Sequence, residues 1–221
     1  MFAPSFLAGN RSAVGTYTGV NFTSLNNAEG ITTDSNYLYT ISKFSDTVRR
    51  FEFDGVYTGF EWSVSPTSTN PSDIYWDESN DRFLVTDEGT KDTTSWSSSF
   101  VYQGIFISGA SISGGGNPVG VTFDGSNYWL AVNWNGNDDS LQKFNASGVF
   151  ISEETITSDP QSVAFYKGDL WVVIGSANDY VERYNLSAGP VGTTFITLPS
   201  TQPKGIVGVD GVFYICDSSD T

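Results

Sequence analysis

The side chains best suited to chemistry are carboxylates. Asp73, with Glu29, Asp87 or Glu88 as partner, offers the two acids that glycoside hydrolysis requires on either side of one sugar bond. The comparable positions further along, Val119-Gly120, Gln161-Ser162 and Lys204-Gly205, carry no carboxyl group. Histidine is absent, which removes Ser-His-Asp and Cys-His triads and every metal site built on imidazole. The one cysteine, Cys216, excludes an internal disulfide. It sits in the apolar run 212–216, where it reads as a small buried hydrophobe. No phosphate-binding glycine loop and no nucleophile elbow is present, and the run Ser113-Gly-Gly-Gly116 reads as a flexible connection.

Two other groupings suit binding. Residues 133–139 read Asn-Trp-Asn-Gly-Asn-Asp-Asp, so Asn133, Asn135, Asp138 and Asp139 place oxygen donors around a glycine. Calcium takes six to eight such oxygens, and it is the one cofactor the sequence leaves room for. The spacing is not that of an EF-hand, and a solvated polar loop is the other reading. Trp96 and Trp134 fall in loops, whereas Trp62, Trp76, Trp129 and Trp171 fall inside strands. Exposed tryptophans amid Asn, Asp and Ser suit stacking on sugars or anchoring a protein, although loop tryptophans also fold down as lids. Trp96, Trp134, Asp73, Asp87, Asn133 and Asn135 form the expected ligand-binding set.

The elements that must position these residues come from an internal repeat. Five units each hold an apolar run, a polar turn and a second apolar run, starting at residues 30, 73, 120, 162 and 205. Four are preceded within two residues by a proline (Pro71, Pro118, Pro160, Pro203), which ends one strand and fixes entry to the next. A third run follows, as in residues 48–51, 141–144 and 181–184, then a glycine turn (Gly55, Gly148, Gly189) and a fourth run. The second unit departs from this with an insertion, 87–99, and places its later runs at 100–103 and 105–108 around Gly104. Four short strands every 43 or so residues, with no helical period, predict propeller blades. Residues 1–29 and 205–221 together make 46 residues, one repeat length. The prediction is therefore an all-β, single-domain, five-bladed β-propeller of four-stranded antiparallel blades: 30–71, 72–118, 119–160, 161–203, and 204–221 with 1–29. The last blade takes its inner strands from the C-terminal end and its outer strands from the N-terminal end. The competing account is a fragment of a six- or seven-bladed ring.

The pattern at 118–131 (Pro-Val-Gly-Val-Thr-Phe-Asp-Gly, closing on Trp-Leu-Ala) with 141–148 (Leu-Gln-Lys-Phe-Asn-Ala-Ser-Gly) resembles NHL-type and YVTN-type propeller repeats, as do 181–185 and 205–217. The resemblance spans nearly the whole chain, and its motifs are structural. It implies a channel face, formed by strand starts and loops, on which Glu29, Asp73 and Lys204 stand. Ser42, Asp87, Asn133 and Asp217 end the second strands there. They read either as a polar ring around a ligand or as turn caps that bond backbone N–H groups, and recurrence in most blades favours the second.

Charge narrows the partners. The chain has 25 Asp and Glu against 10 Lys and Arg, a net charge of −15, which disfavours nucleic acid and anionic membranes. No apolar stretch is long enough to span a membrane, and the start has no signal-peptide pattern. Four Asn-x-Ser/Thr sequons match chance for this composition. The favoured function is a non-enzymatic recognition or structural module that binds a protein or cell-surface glycan through its loop face, in an extracellular or virion-surface setting. The alternative is a glycoside hydrolase with carboxylates in the channel.

Overall fold

The computed structural model describes residues 4–5, 16–17, 27–134, 139–156, 159–175, 179–187, 189, 191, 196–197 and 202–218. Its strands form antiparallel sheets arranged as propeller blades. The first blade holds Ala28–Thr33, Leu38–Ser42, Thr47–Phe51 and Tyr57–Ser63, paired in chain order. The second holds Pro71–Asp77, Arg82–Asp87, Thr93–Ser97 and Tyr102–Ile107. The third holds Asn117–Phe123, Tyr128–Asn133, Ser140–Phe144 and Phe150–Thr155. The fourth holds Pro160–Tyr166, Asp169–Ile174, Tyr180–Tyr184 and the short Ile196–Thr197.

Four blades are thus complete, each from one continuous stretch. The fifth is incomplete, which corrects the expectation of five full four-stranded blades. Its inner strands Pro203–Val209 and Val212–Asp217 are full length. Among the described residues, Pro4–Ser5 and Thr16–Tyr17 lie beside them, and the register pair with the inner strands is Ser5↔Val212.

Burial explains why these segments became strands. Inner and second strands are buried almost throughout, as in Tyr128–Asn133, whereas the outer strand Phe150–Thr155 is exposed at every residue. Apolar side chains on the two faces of each inner pair fill five clusters, one between each neighbouring pair of blades. Phe51 and Cys216 meet between the first and fifth, and Val173 and Phe213 between the fourth and fifth. Tyr39 packs edge-on to Phe83 between the first and second at 5.0 Å between ring centres. Backbone pins reinforce the packing: Trp76 N–H donates to Thr32 Oγ1 and Phe165 N–H to Thr122 Oγ1, both at 2.9 Å.

The second blade differs from its predicted boundaries. Its third strand is Thr93–Ser97, inside the segment read as an insertion, and its outer strand is Tyr102–Ile107. The turn between them is the one that Gly55 and Gly148 make elsewhere. In all three blades the N–H of the turn's first residue, Glu52, Ser97 or Asn145, donates to the carbonyl four residues on, at 2.9 Å. Phe100 stands at the glycine position with φ 64°, a conformation costly for a residue with a Cβ. Its ring is held 4.3 Å from Trp62 and 4.8 Å from Phe60, so aromatic packing across two blades offsets that cost.

Candidate functional site

The inner strands approach one another closely at the axis. Each carries a β-bulge near its start, seen as a register slip between Ala28 and Gly30, Pro71 and Asp73, Pro118 and Gly120, Pro160 and Ser162, and Pro203 and Ile206. The residues that start the repeats, Gly30, Asp73, Gly120, Ser162 and Gly205, make the constriction. A Cβ on Gly30 would lie 2.5 Å from Asp73 Cα, and one on Gly205 would lie 2.6 Å from the Ile31 nitrogen.

Asp73 plugs this constriction, and only 2% of it is exposed. Its Oδ1 accepts Ile74 N–H at 2.9 Å, and its Oδ2 accepts Ser162 Oγ–H at 2.9 Å and Val121 N–H at 3.3 Å. The Ile31 N–H donates to it as well, so one carboxyl links four blades. Burial pushes its pKa well above the carboxylate range, against the pull of these donors. The expected hydrolytic acid is therefore sealed in the centre with its oxygens committed. A narrow cavity of about 40 Å³ lies on the axis, lined by residues of all five inner strands.

Asp87, expected to face a ligand, is also fully buried. Ser68 Oγ–H and the N–H groups of Thr69 (2.7 Å), Asn70 (2.8 Å) and Thr90 (2.6 Å) all donate to it. Burial raises its pKa, but these donors outweigh that and hold it below the ordinary value. It caps turns, as the structural reading has it.

Neither tryptophan is an open platform. Trp96 lies in a strand, 5% exposed, and its Nε1–H donates to Thr94 Oγ1 at 3.0 Å. Trp134 folds down over the glycine run, where a Cβ on Gly114 would clash with its ring. That run is a pinned turn and no flexible link: Gln142 accepts the Ser113 N–H at 3.0 Å and donates to the Ser113 carbonyl at 3.1 Å. In the expected calcium loop, Asn135 and Asp138 lie outside the described residues. Asn133 Nδ2 donates to Asp159 Oδ1, and Asp139 Oδ1 accepts the Trp134 N–H at 2.9 Å. Among the described residues no three Asp, Glu or Cys side chains cluster as a metal would need. Cys216 is fully buried, accepts the Gly205 N–H at 3.0 Å, and has its pKa raised by that burial.

The structure instead gathers the polar bulge residues at the channel mouth. Lys204 Nζ donates to Gln161 Oε1 at 2.6 Å and stands 3.7 Å from Glu29 Oε2, joining the fifth, fourth and first blades. Lys43 continues the ring to Glu88 of the second blade at 3.6 Å, and Asp159 continues it to Asn133 of the third. Burial raises the Glu29 pKa, which Lys204 and Lys43 partly offset. Desolvation, reinforced by the charge of Asp139, raises that of Asp159. Beside Lys204 the mouth opens into a cleft of about 290 Å³, lined by Asp159, Gln161, Gly175, Asp179, Gln202, Pro203 and Lys204. Sequence reasoning placed Glu29 and Lys204 near the channel but missed Asp159, Gln161 and Asp179. A signal was available, because Gln161 and Lys204 each directly follow one of the repeated prolines.

No family model matches the chain, and no curated protein matches its sequence. Many solved structures match its fold. The chain is similar to a propeller in the crystal structure of a nidogen/laminin complex, with 16% identity and a TM-score of 0.63, covering 92% of this chain and 74% of that one. A streptogramin B lyase structure aligns with 17% identity and a TM-score of 0.56, over 92% and 67%. Glutaminyl cyclase from Myxococcus xanthus aligns with 12% identity and a TM-score of 0.66, over 86% and 85%. At these identities the likeness is one of fold: it fits a β-propeller, and no family match confirms the NHL or YVTN resemblance. Enzymes stand beside a protein complex among these neighbours, so the expectation of a non-enzymatic chain is corrected: this fold carries catalysis and binding alike. No helix among the described residues is long and apolar enough to cross a membrane. What the neighbours establish is that this chain is an all-β propeller.

Proposed function

We propose that the chain recognises a protein partner through its channel mouth. The observation that carries this reading is the cleft of about 290 Å³ beside the Glu29–Lys204–Gln161 ring. It combines charges of both signs with amides in a concave site, which suits a specific polar contact. On the same rim, next to the Lys43–Glu88 pair, Phe44 is 76% exposed and offers an apolar anchor. A protein partner is preferred over a glycan because, of the expected sugar platforms, Trp96 is buried and Trp134 is partly buried against the glycine run. The nidogen neighbour, seen in a complex with laminin, is consistent with a propeller that binds protein. An extracellular or virion-surface setting is part of the proposal and rests on composition.

Selection of random displayed peptides against the protein tests the reading. Peptides that lose at least tenfold in affinity to both Phe44→Ala and Gln161→Ala are expected. Selected peptides indifferent to both substitutions would place recognition elsewhere.

We also propose that residues 1–29 complete the fifth blade. The pairing of Ser5 with Val212 supports this. Deleting residues 1–20 should then lower the unfolding midpoint of the whole ring in one cooperative step. A truncated chain with the full-length midpoint would refute the shared blade.

A further inference from the structure

We infer that the mouth cleft receives a basic side chain, arginine or lysine, from the protein partner. The inference rests on the reading of the mouth as a protein-binding site and names what enters it. Among the described residues of the cleft wall Lys204 is the one cation: it donates to Gln161 at 2.6 Å and faces the buried carboxyl of Glu29 at 3.7 Å. Lys204 acts on the charges of both Glu29 and Asp159, and Asp179 brings a further carboxylate to the wall, so the acids of the cleft outnumber its cation. Asp139 adds to the field at Asp159.

The surroundings agree in sign and size. The chain carries a net charge of −15, so a cationic partner is steered to it and an anionic one repelled. Ligand pockets start at about 300 Å³, so a cleft of about 290 Å³ suits one long side chain rather than a whole loop. A guanidinium fits carboxylates and amide oxygens as a planar set of donors. The carboxyl of Asp159, disfavoured as an anion by its surroundings, is relieved when a cation arrives.

The test uses the full chain and Nα-acetyl-arginine amide, followed by amide chemical shifts, with the neutral isostere Nα-acetyl-citrulline amide as control. The arginine probe should shift the amides of Gly175, Gln161 and Lys204 at millimolar concentration, and the citrulline probe should bind at least fivefold more weakly. Asp159→Asn and Asp179→Asn should each weaken the arginine probe by at least threefold, and 0.5 M salt should do the same. Equal binding of both probes, or no shift at the cleft with arginine, overturns the inference. The peptide selection separates the two proposals. Selected peptides that bind the mouth but lack basic residues overturn this inference and leave the mouth as the binding site. Peptides that ignore the mouth overturn both.

Discussion

The axis and the mouth of this propeller both hold carboxylates, yet they commit them in opposite ways. At the axis, Asp73 spends its oxygens on donors from four blades and leaves none for a ligand. At the mouth, Glu29 and Asp159 stand in a ring of charged and amide groups beside a cleft. For Asp73 and Glu29 the difference comes from one residue of register. The repeat-start position points into a constriction where a Cβ meets backbone, so it takes glycine, serine or one fully bonded aspartate. In the first, fourth and fifth blades the bulge residue just before it, Glu29, Gln161 or Lys204, stands at the mouth, whereas Ser72 and Val119 in the same place are buried. Acids in a propeller channel are therefore no guide to chemistry until their donors are counted.

Breaking the axis should have the largest effect. Asp73→Ala leaves backbone N–H groups in three neighbouring blades and the Ser162 hydroxyl without their acceptor. It should cost on the order of 3–5 kcal/mol in urea unfolding, since each buried donor left unmade costs about 1–3 kcal/mol. A loss below about 1 kcal/mol would mean that the blades are held together without it.

Acidification should act through a different carboxylate. Asp87 has its pKa lowered in the folded state, so the stability it provides is present above the ordinary carboxylate value of about 4 and lost as pH falls through its folded pKa. Asp77, lowered by hydrogen bonds from Tyr128, Ser79, Arg82 and Asn80 that outweigh its burial, adds a loss of the same sign. Asp73 shifts the other way and does not contribute to acid lability. Unfolding free energy followed from pH 5 to pH 2 should therefore decline, and Asp87→Asn should start lower and decline less steeply. An unchanged slope in the variant would assign the acid sensitivity elsewhere.

Much of the ring was legible because the repeats begin at the residues that meet at the axis. Pro71, Pro160 and Pro203 each open an inner strand and Pro118 is the second residue of one, as a residue that stops one ladder and fixes entry to the next should be. The second blade was misread at Phe100, since glycine is the expected sign of positive φ and only the Trp62 and Phe60 contacts let phenylalanine take that place. Thr93–Ser97 shows too little apolar alternation to announce a strand, so Trp96 was assigned to a loop when its ring lies in the core. The site was less legible than the fold. A bulge moves side chains between environments without changing the hydrophobic pattern, so Gln161 and Asp159 carry no mark in the sequence beyond their place beside a proline.

The division between axis and mouth is tested most directly on Asp159→Asn, by measuring its unfolding free energy and its affinity for mouth-selected peptides on one preparation. The asparagine oxygen can still accept from Asn133, and a neutral group suits a position where desolvation raises the carboxyl pKa. Stability should stay within about 0.5 kcal/mol of the parent, as for substitutions outside a core network, while affinity falls at least fivefold. Unchanged affinity, or a stability loss as large as that of Asp73→Ala, would contradict the account.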